Sequence, residues 1–110
     1  MRKDDLVRLH HMLDAAREAV KSAQERGRAD LDQERVWALG LVKCVEIIGE
    51  AAARVAEETR RKHPVIPWVP IVGMRNRLVH AYFELDLDQV WKTVTEDLPP
   101  LIKELERILR

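Results

Sequence analysis

Residues 37–55 read WALGLVKCVEIIGEAAARV, and within them Trp37, Leu41, Cys44, Ile48, Ala52 and Val55 recur at spacings of three and four. That period places side chains on one face of an α-helix. An apolar face this broad has to be covered by other apolar elements, so the stretch is predicted to be the central helix of a helical core. Asp30 or Asp32 can cap it, and it is expected to run to about Lys62 and stop before Pro64. At 1.5 Å per residue it would be ~45 Å long, the longest element of the fold.

Upstream, Leu6, Leu9, Leu13, Ala16, Val20 and Ala23 form a second stripe. It predicts a helix over roughly residues 3–26, ended by Gly27. Downstream, the three prolines of the segment HPVIPWVP forbid a continuous helix. Pro67 or Pro70 can open a third helix carrying IVGMRNRLVHAY, because a first turn leaves its N–H groups unpaired anyway. Asp86 then caps a fourth helix with Leu87, Val90, Trp91 and Val94 inward, and Pro99 and Pro100 restart it as a terminal helix using Ile102, Leu105 and Ile108 or Leu109. Neither a repeat nor a strand-like alternation is present. The expected fold class is all-α, an up-and-down bundle of four to five helices forming one domain over residues 1–110.

Composition agrees with that class. The chain has 110 residues, 46% hydrophobic and 35% charged, enough for one modest core. No apolar run approaches the ~18 residues of a membrane span, and the first residues hold no apolar signal core. The lone Cys44 cannot pair within the chain, so a reducing, cytoplasmic setting is expected, with Cys44 a buried inert thiol. The net charge of +0 conceals a bias: no acid lies between Glu58 and Glu84, whereas Arg60, Arg61, Lys62, Arg75 and Arg77 are basic. Acids prevail after that window. Such a bias suits either helix ends and a solvated face or a footprint for phosphate.

Within the window runs Gly73-Met74-Arg75-Asn76-Arg77-Leu78-Val79-His80-Ala81-Tyr82. An arginine and a histidine four residues apart are weak evidence alone, since a surface arginine and a helix-capping histidine give the same pattern. The surroundings add to it. This chain resembles the HepT toxins of the HEPN superfamily, whose RX4HXY signature is similar to Arg75-x4-His80-x-Tyr82. The blocks Glu46-Ile-Ile-Gly-Glu50-Ala, His63-Pro64-x-Ile66-Pro67-Trp68, Asp86-Leu-Asp88-x-Val90-Trp91 and Thr95-Glu-Asp-Leu-Pro99 extend the resemblance in order over about residues 36–110. The resemblance implies a homodimeric HEPN-like bundle, the toxin of a type VII toxin–antitoxin system and a metal-independent RNA endonuclease without cofactor. It further implies a partner, an MNT-type nucleotidyltransferase antitoxin that adenylylates Tyr82. The alternative is a non-catalytic dimeric partner of that enzyme, with the motif kept as a nucleotide-binding patch.

The residue types suit metal-free RNA cleavage. His80 can exchange protons near neutral pH as general acid–base. Arg75 offers phosphate a permanently charged, planar fork of donors, and Asn76 can orient it. On a regular helix, however, Arg75 and His80 point about 140° apart. Asn76, Arg77 and His80 would share one polar arc, with Arg75 nearer Ile71, Leu78 and Tyr82. Either the helix frays near His80 or a two-fold dimer brings two copies of the segment to one cleft.

Glu46 and Glu50 share an arc with Leu39, Val42, Gly49 and Ala53, which suggests a closely approached surface where one of them orients Arg75 or Arg77; a solvated acid pair fits the spacing equally well. The other candidates are weaker. His10 and His11 are adjacent and cannot chelate as an i,i+4 pair, and His63 suits a helix C-terminus. Trp37, Trp68 and Trp91 are expected in the core rather than as base-stacking platforms.

Overall fold

Helices α1 (Lys3–Ala23) and α3 (Arg35–Arg54) make the most extensive packing of the fold. The computed structural model describes residues 1–81 and 84–110. Leu9, Met12 and Ala16 of α1 meet Leu41, Val45, Ile48 and Ala52 of α3 in one core cluster, and these side chains are almost entirely removed from water. Full burial stabilises a leucine or isoleucine by roughly 1.5–3 kcal/mol, so the two stripes drive the assembly. The C-terminal helix α8 (Leu98–Ile108) also packs on α1 and closes the bundle with Leu98, Leu101 and Leu105. Among the described residues, no helix is long and apolar enough to cross a membrane.

The long central helix is not continuous. The chain from Asp30 to Lys62 forms a short α2 (Asp30–Gln33), then α3, then α4 (Glu57–Lys62). Between α3 and α4, Val55 (φ −69°, ψ 133°) and Ala56 (φ −61°, ψ 143°) are extended. A break of this kind strands the first N–H groups of the next helix. Asp5 of α1 meets that need: its Oδ1 accepts from the Ala56 N–H at 3.1 Å and its Oδ2 from the Thr59 hydroxyl at 2.5 Å. Asp5 is only 2% exposed. The cap comes from 51 residues away, so no local pattern reveals it.

The second departure is a pair of strands in an otherwise helical bundle. After the proline-rich connector come α5 (Trp68–Val72) and α6 (Met74–Leu78), separated at Gly73. The chain then becomes extended as β1 (Val79–Ala81), which pairs antiparallel with β2 (Glu84–Leu85) through an irregular register, Val79 opposite Leu85 and Ala81 opposite Glu84. The β-branched Val79 at the start of β1 favours extended chain. Asp86 begins α7 (Leu87–Lys92), its Oδ1 accepting from the Gln89 N–H at 3.0 Å, as its N-cap role requires. A π-helical turn (Thr93–Asp97) joins α7 to α8. Pro99 and Pro100 follow it after Leu98 and cannot donate to the ladder, so they sit in the first turn of α8, where the helical path continues without their bonds.

The hydrogen bond from Thr59 first, and that from the Ala56 N–H second, hold the Asp5 carboxyl below its ordinary value of 3.8, against the opposing effect of burial. A depressed native pKa means stability that is present above the unfolded value and lost as pH falls through the native one. Asp5→Ala should therefore cost about 1–3 kcal/mol at neutral pH through the lost charge-assisted bonds. In urea titrations the gap between wild type and variant should narrow as pH drops below about 4.

Candidate active site

Arg75 is delivered by a close helix crossing. A Cβ on Gly49 of α3 would lie 3.3 Å from the carbonyl oxygens of both Ile71 and Val72, tighter than ordinary van der Waals contact. Glycine thus lets the end of α5 settle onto α3, and Gly73 then turns the chain into α6. Glu46 stands one turn before Gly49. Its Oε2 lies 3.9 Å from Arg75 Nε, an ion pair beyond direct hydrogen-bond length. The arginine side chain is 49% exposed and the glutamate 31%, so the pair steers the guanidinium while leaving its fork available to a ligand.

His80 does not continue the helix of Arg75. The helix ends at Leu78, and Val79 is already extended at φ −124°, ψ 111°. The shared arc expected for Asn76, Arg77 and His80 therefore does not exist, because His80 belongs to β1. The hairpin instead brings His80 Nε2 to 2.9 Å from Asp86 Oδ2. The Asp86 carboxyl is held below its ordinary range by the Gln89 N–H first and by His80 second. His80 remains exposed, and among the described residues its Nδ1 has no partner.

The remaining candidates spread around this centre. Asn76 and Arg77 are exposed on α6. Arg77 borders an apolar groove of about 490 Å³ whose lining includes Ile66, Ile71, Met74 and Leu101. Glu50 faces a shallow depression with Arg8, His11 and Arg54, and among the described residues it forms no ion pair with a motif arginine. Tyr82 lies outside the described residues. The tryptophans serve packing: Trp68 is buried with its Nε1 donating to the His63 carbonyl at 3.1 Å, Trp37 donates to Ser22 Oγ at 2.9 Å, and Trp91 packs against the core cluster. Cys44 is half-buried, and burial pushes its thiol pKa up, which keeps the reactive thiolate scarce. Among the described residues no three metal-ligating side chains converge.

The residue missed from sequence is Asp86 as a partner of His80. Read along a helical period, it is only a cap; the contact requires the pairing of β1 with β2, of which the β-branched Val79 is the one faint signal among the described residues.

The ribonuclease HepT-like family model matches residues 12–108. The chain belongs to this family. At the level of the family, its activity is that of a ribonuclease. A candidate RNase of Methanocaldococcus jannaschii is 31% identical over 105 residues, spanning 96% of both chains. A candidate RNase of Caldanaerobacter subterraneus is 32% identical over 102 residues, 93% of this chain and 91% of its own. A candidate ribonuclease HepT of Thermococcus cleftensis is 43% identical over 68 residues, 62% of each. No solved structure matches the chain.

In this HepT-like chain, Glu46→Gln should change stability by less than about 1 kcal/mol, as expected for a partly exposed pair. It should lower RNA cleavage on the order of tenfold, since a phosphate clamp that loses its orientation loses transition-state contact. A thermal melt and a labelled-RNA assay on the same preparation separate the two effects.

Proposed function

We propose that this chain is the toxin of a type VII toxin–antitoxin pair, a cytoplasmic single-domain endoribonuclease that works as a homodimer and needs no metal. The observation that carries the reading is the placement of two exposed side chains, Arg75 and His80, on consecutive elements, each beside its own carboxylate. Such groups have the chemistry for RNA cleavage. His80 takes the proton of a ribose 2′-OH, and the 2′-oxygen forms a bond to phosphorus. The P–O5′ bond breaks, the 5′-oxygen takes a proton from water, and a 2′,3′-cyclic phosphate remains; His80 then returns its proton to solvent. Arg75, with Asn76 and Arg77 near it, stabilises the charge that grows on the phosphoryl oxygens.

The dimer has support in the surface. Val69 and Val72 are exposed on α5, at 82% and 41%, immediately before Arg75. Val36, Leu39 and Ile47 are exposed on α3, against which α5 packs. Exposed apolar side chains beside the motif are of the kind a protein contact covers, and a two-fold contact would set two copies of the motif beside one cleft.

Replacing His80 or Arg75 by alanine should slow cleavage of a labelled RNA by at least about 100-fold, with EDTA leaving the wild-type rate unchanged. Wild-type rates in both variants would refute this reading.

Regulation rests on Tyr82, two residues from His80. Adenylylation there would place phosphate charge and bulk beside the phosphate-binding groups and repel RNA. Incubation with an MNT-type nucleotidyltransferase and ATP should add an AMP mass to the peptide containing Tyr82, and Tyr82→Phe should abolish the adduct.

A further inference from the structure

Asp86 is tied to its surroundings on three sides. Its N–H donates to the Leu78 carbonyl at 2.8 Å, across the base of the hairpin. Its Oδ1 caps α7 through the Gln89 N–H at 3.0 Å. Its Oδ2 faces His80 Nε2 at 2.9 Å. The next turn is anchored as well, because Arg28 Nε donates to Asp88 Oδ1 at 2.7 Å. A carboxylate held by its own backbone and by a helix cap has little freedom to leave the imidazole.

An ionised carboxylate only accepts hydrogen bonds, whereas a neutral imidazole has one donor and one acceptor nitrogen. The contact at Oδ2 therefore places the proton of neutral His80 on Nε2. The lone pair is then on Nδ1, the nitrogen without a partner among the described residues. We infer that Asp86 is a positioning residue for RNA cleavage: it selects the Nε2–H tautomer of His80 and so makes Nδ1 the nitrogen that takes the 2′-OH proton. This rests on the reading of His80 as the base. It goes beyond that reading in naming the reacting nitrogen and the residue that sets it.

The test is Asp86→Asn in the full chain. Asparagine caps a helix about as well as aspartate, so its amide oxygen keeps the Gln89 bond. That leaves the amide NH2, a donor, facing His80 Nε2, and the ring should switch to the Nδ1–H tautomer. Nitrogen-15 NMR of the histidine rings should show Nε2–H for His80 in wild type and Nδ1–H in D86N. The kcat for RNA should fall about 100-fold with KM within about twofold, since the loss is of proton transfer rather than binding. Asp86→Glu, which restores an acceptor, should recover part of the rate. Should D86N fold poorly, Asp86→Ser also caps the helix but is too short to hold the ring, and a loss of kcat is expected there too. An Nδ1–H tautomer in wild type, or a wild-type kcat in D86N while His80→Ala is inactive, would overturn the role of Asp86 and leave the functional reading standing. A wild-type rate in His80→Ala would overturn that reading itself.

Discussion

The approach of α5 to α3 at Gly49 is the constraint on which the site depends. Two backbone carbonyls sit 3.3 Å from the place a Cβ would occupy, so any larger residue would push α5 outward. Protein interiors transmit such shifts because they are packed to crystal-like density. The shift would travel through Gly73 to α6 and lengthen an Arg75–Glu46 separation that is already 3.9 Å. Ile48 and Ala52, which flank Gly49 on α3, are fully buried. The crossing is thus anchored in the core: hydrophobic packing sets where the backbone of Arg75 stands, and the Glu46 carboxylate bears only on the direction of its guanidinium.

The end of α6 at Leu78 is the complementary constraint. Leu78 is fully buried, and its carbonyl accepts from the Asp86 N–H instead of from a following helical turn. A buried backbone carbonyl requires a partner, and the returning strand provides it. The same bond brings Asp86 alongside His80. One backbone hydrogen bond therefore both terminates the helix of Arg75 and builds the surroundings of His80. The two groups are set by independent devices, one a helix crossing and the other a hairpin.

These devices explain which parts were legible in sequence. The stripes through Leu9, Leu13 and Ala16 and through Leu41, Ile48 and Ala52 are local and periodic, and the helices they predict are present. Gly49 among acids and small residues pointed to a close approach, and α5 makes it. The break at Val55–Ala56 was invisible because its cap, Asp5, lies on another helix. The hairpin was hidden for a different reason: a strand of three residues is shorter than the window over which alternation is read. Within that gap lies the partner of His80, and because α6 ends at Leu78 the helical-wheel angle between Arg75 and His80 does not apply.

A single chain leaves the site wet. The side chains of Arg75 and His80 are 49% and 59% exposed, and in that setting a charge would interact with phosphate through a high effective dielectric. Preorganised donors gain their strength only where water is excluded. Among the described residues few means of exclusion lie near the motif, since Arg77 borders a groove and Asn76 is exposed. What would exclude water is a second surface, and the valines exposed on α5 next to Arg75 are of the chemistry to recruit one. Under the proposed function, exposure of Arg75 and His80 and exposure of the apolar residues beside them are two aspects of one design. The two side chains stay accessible to a polyanion, and a contact that covered the valines would lower the dielectric in which they act.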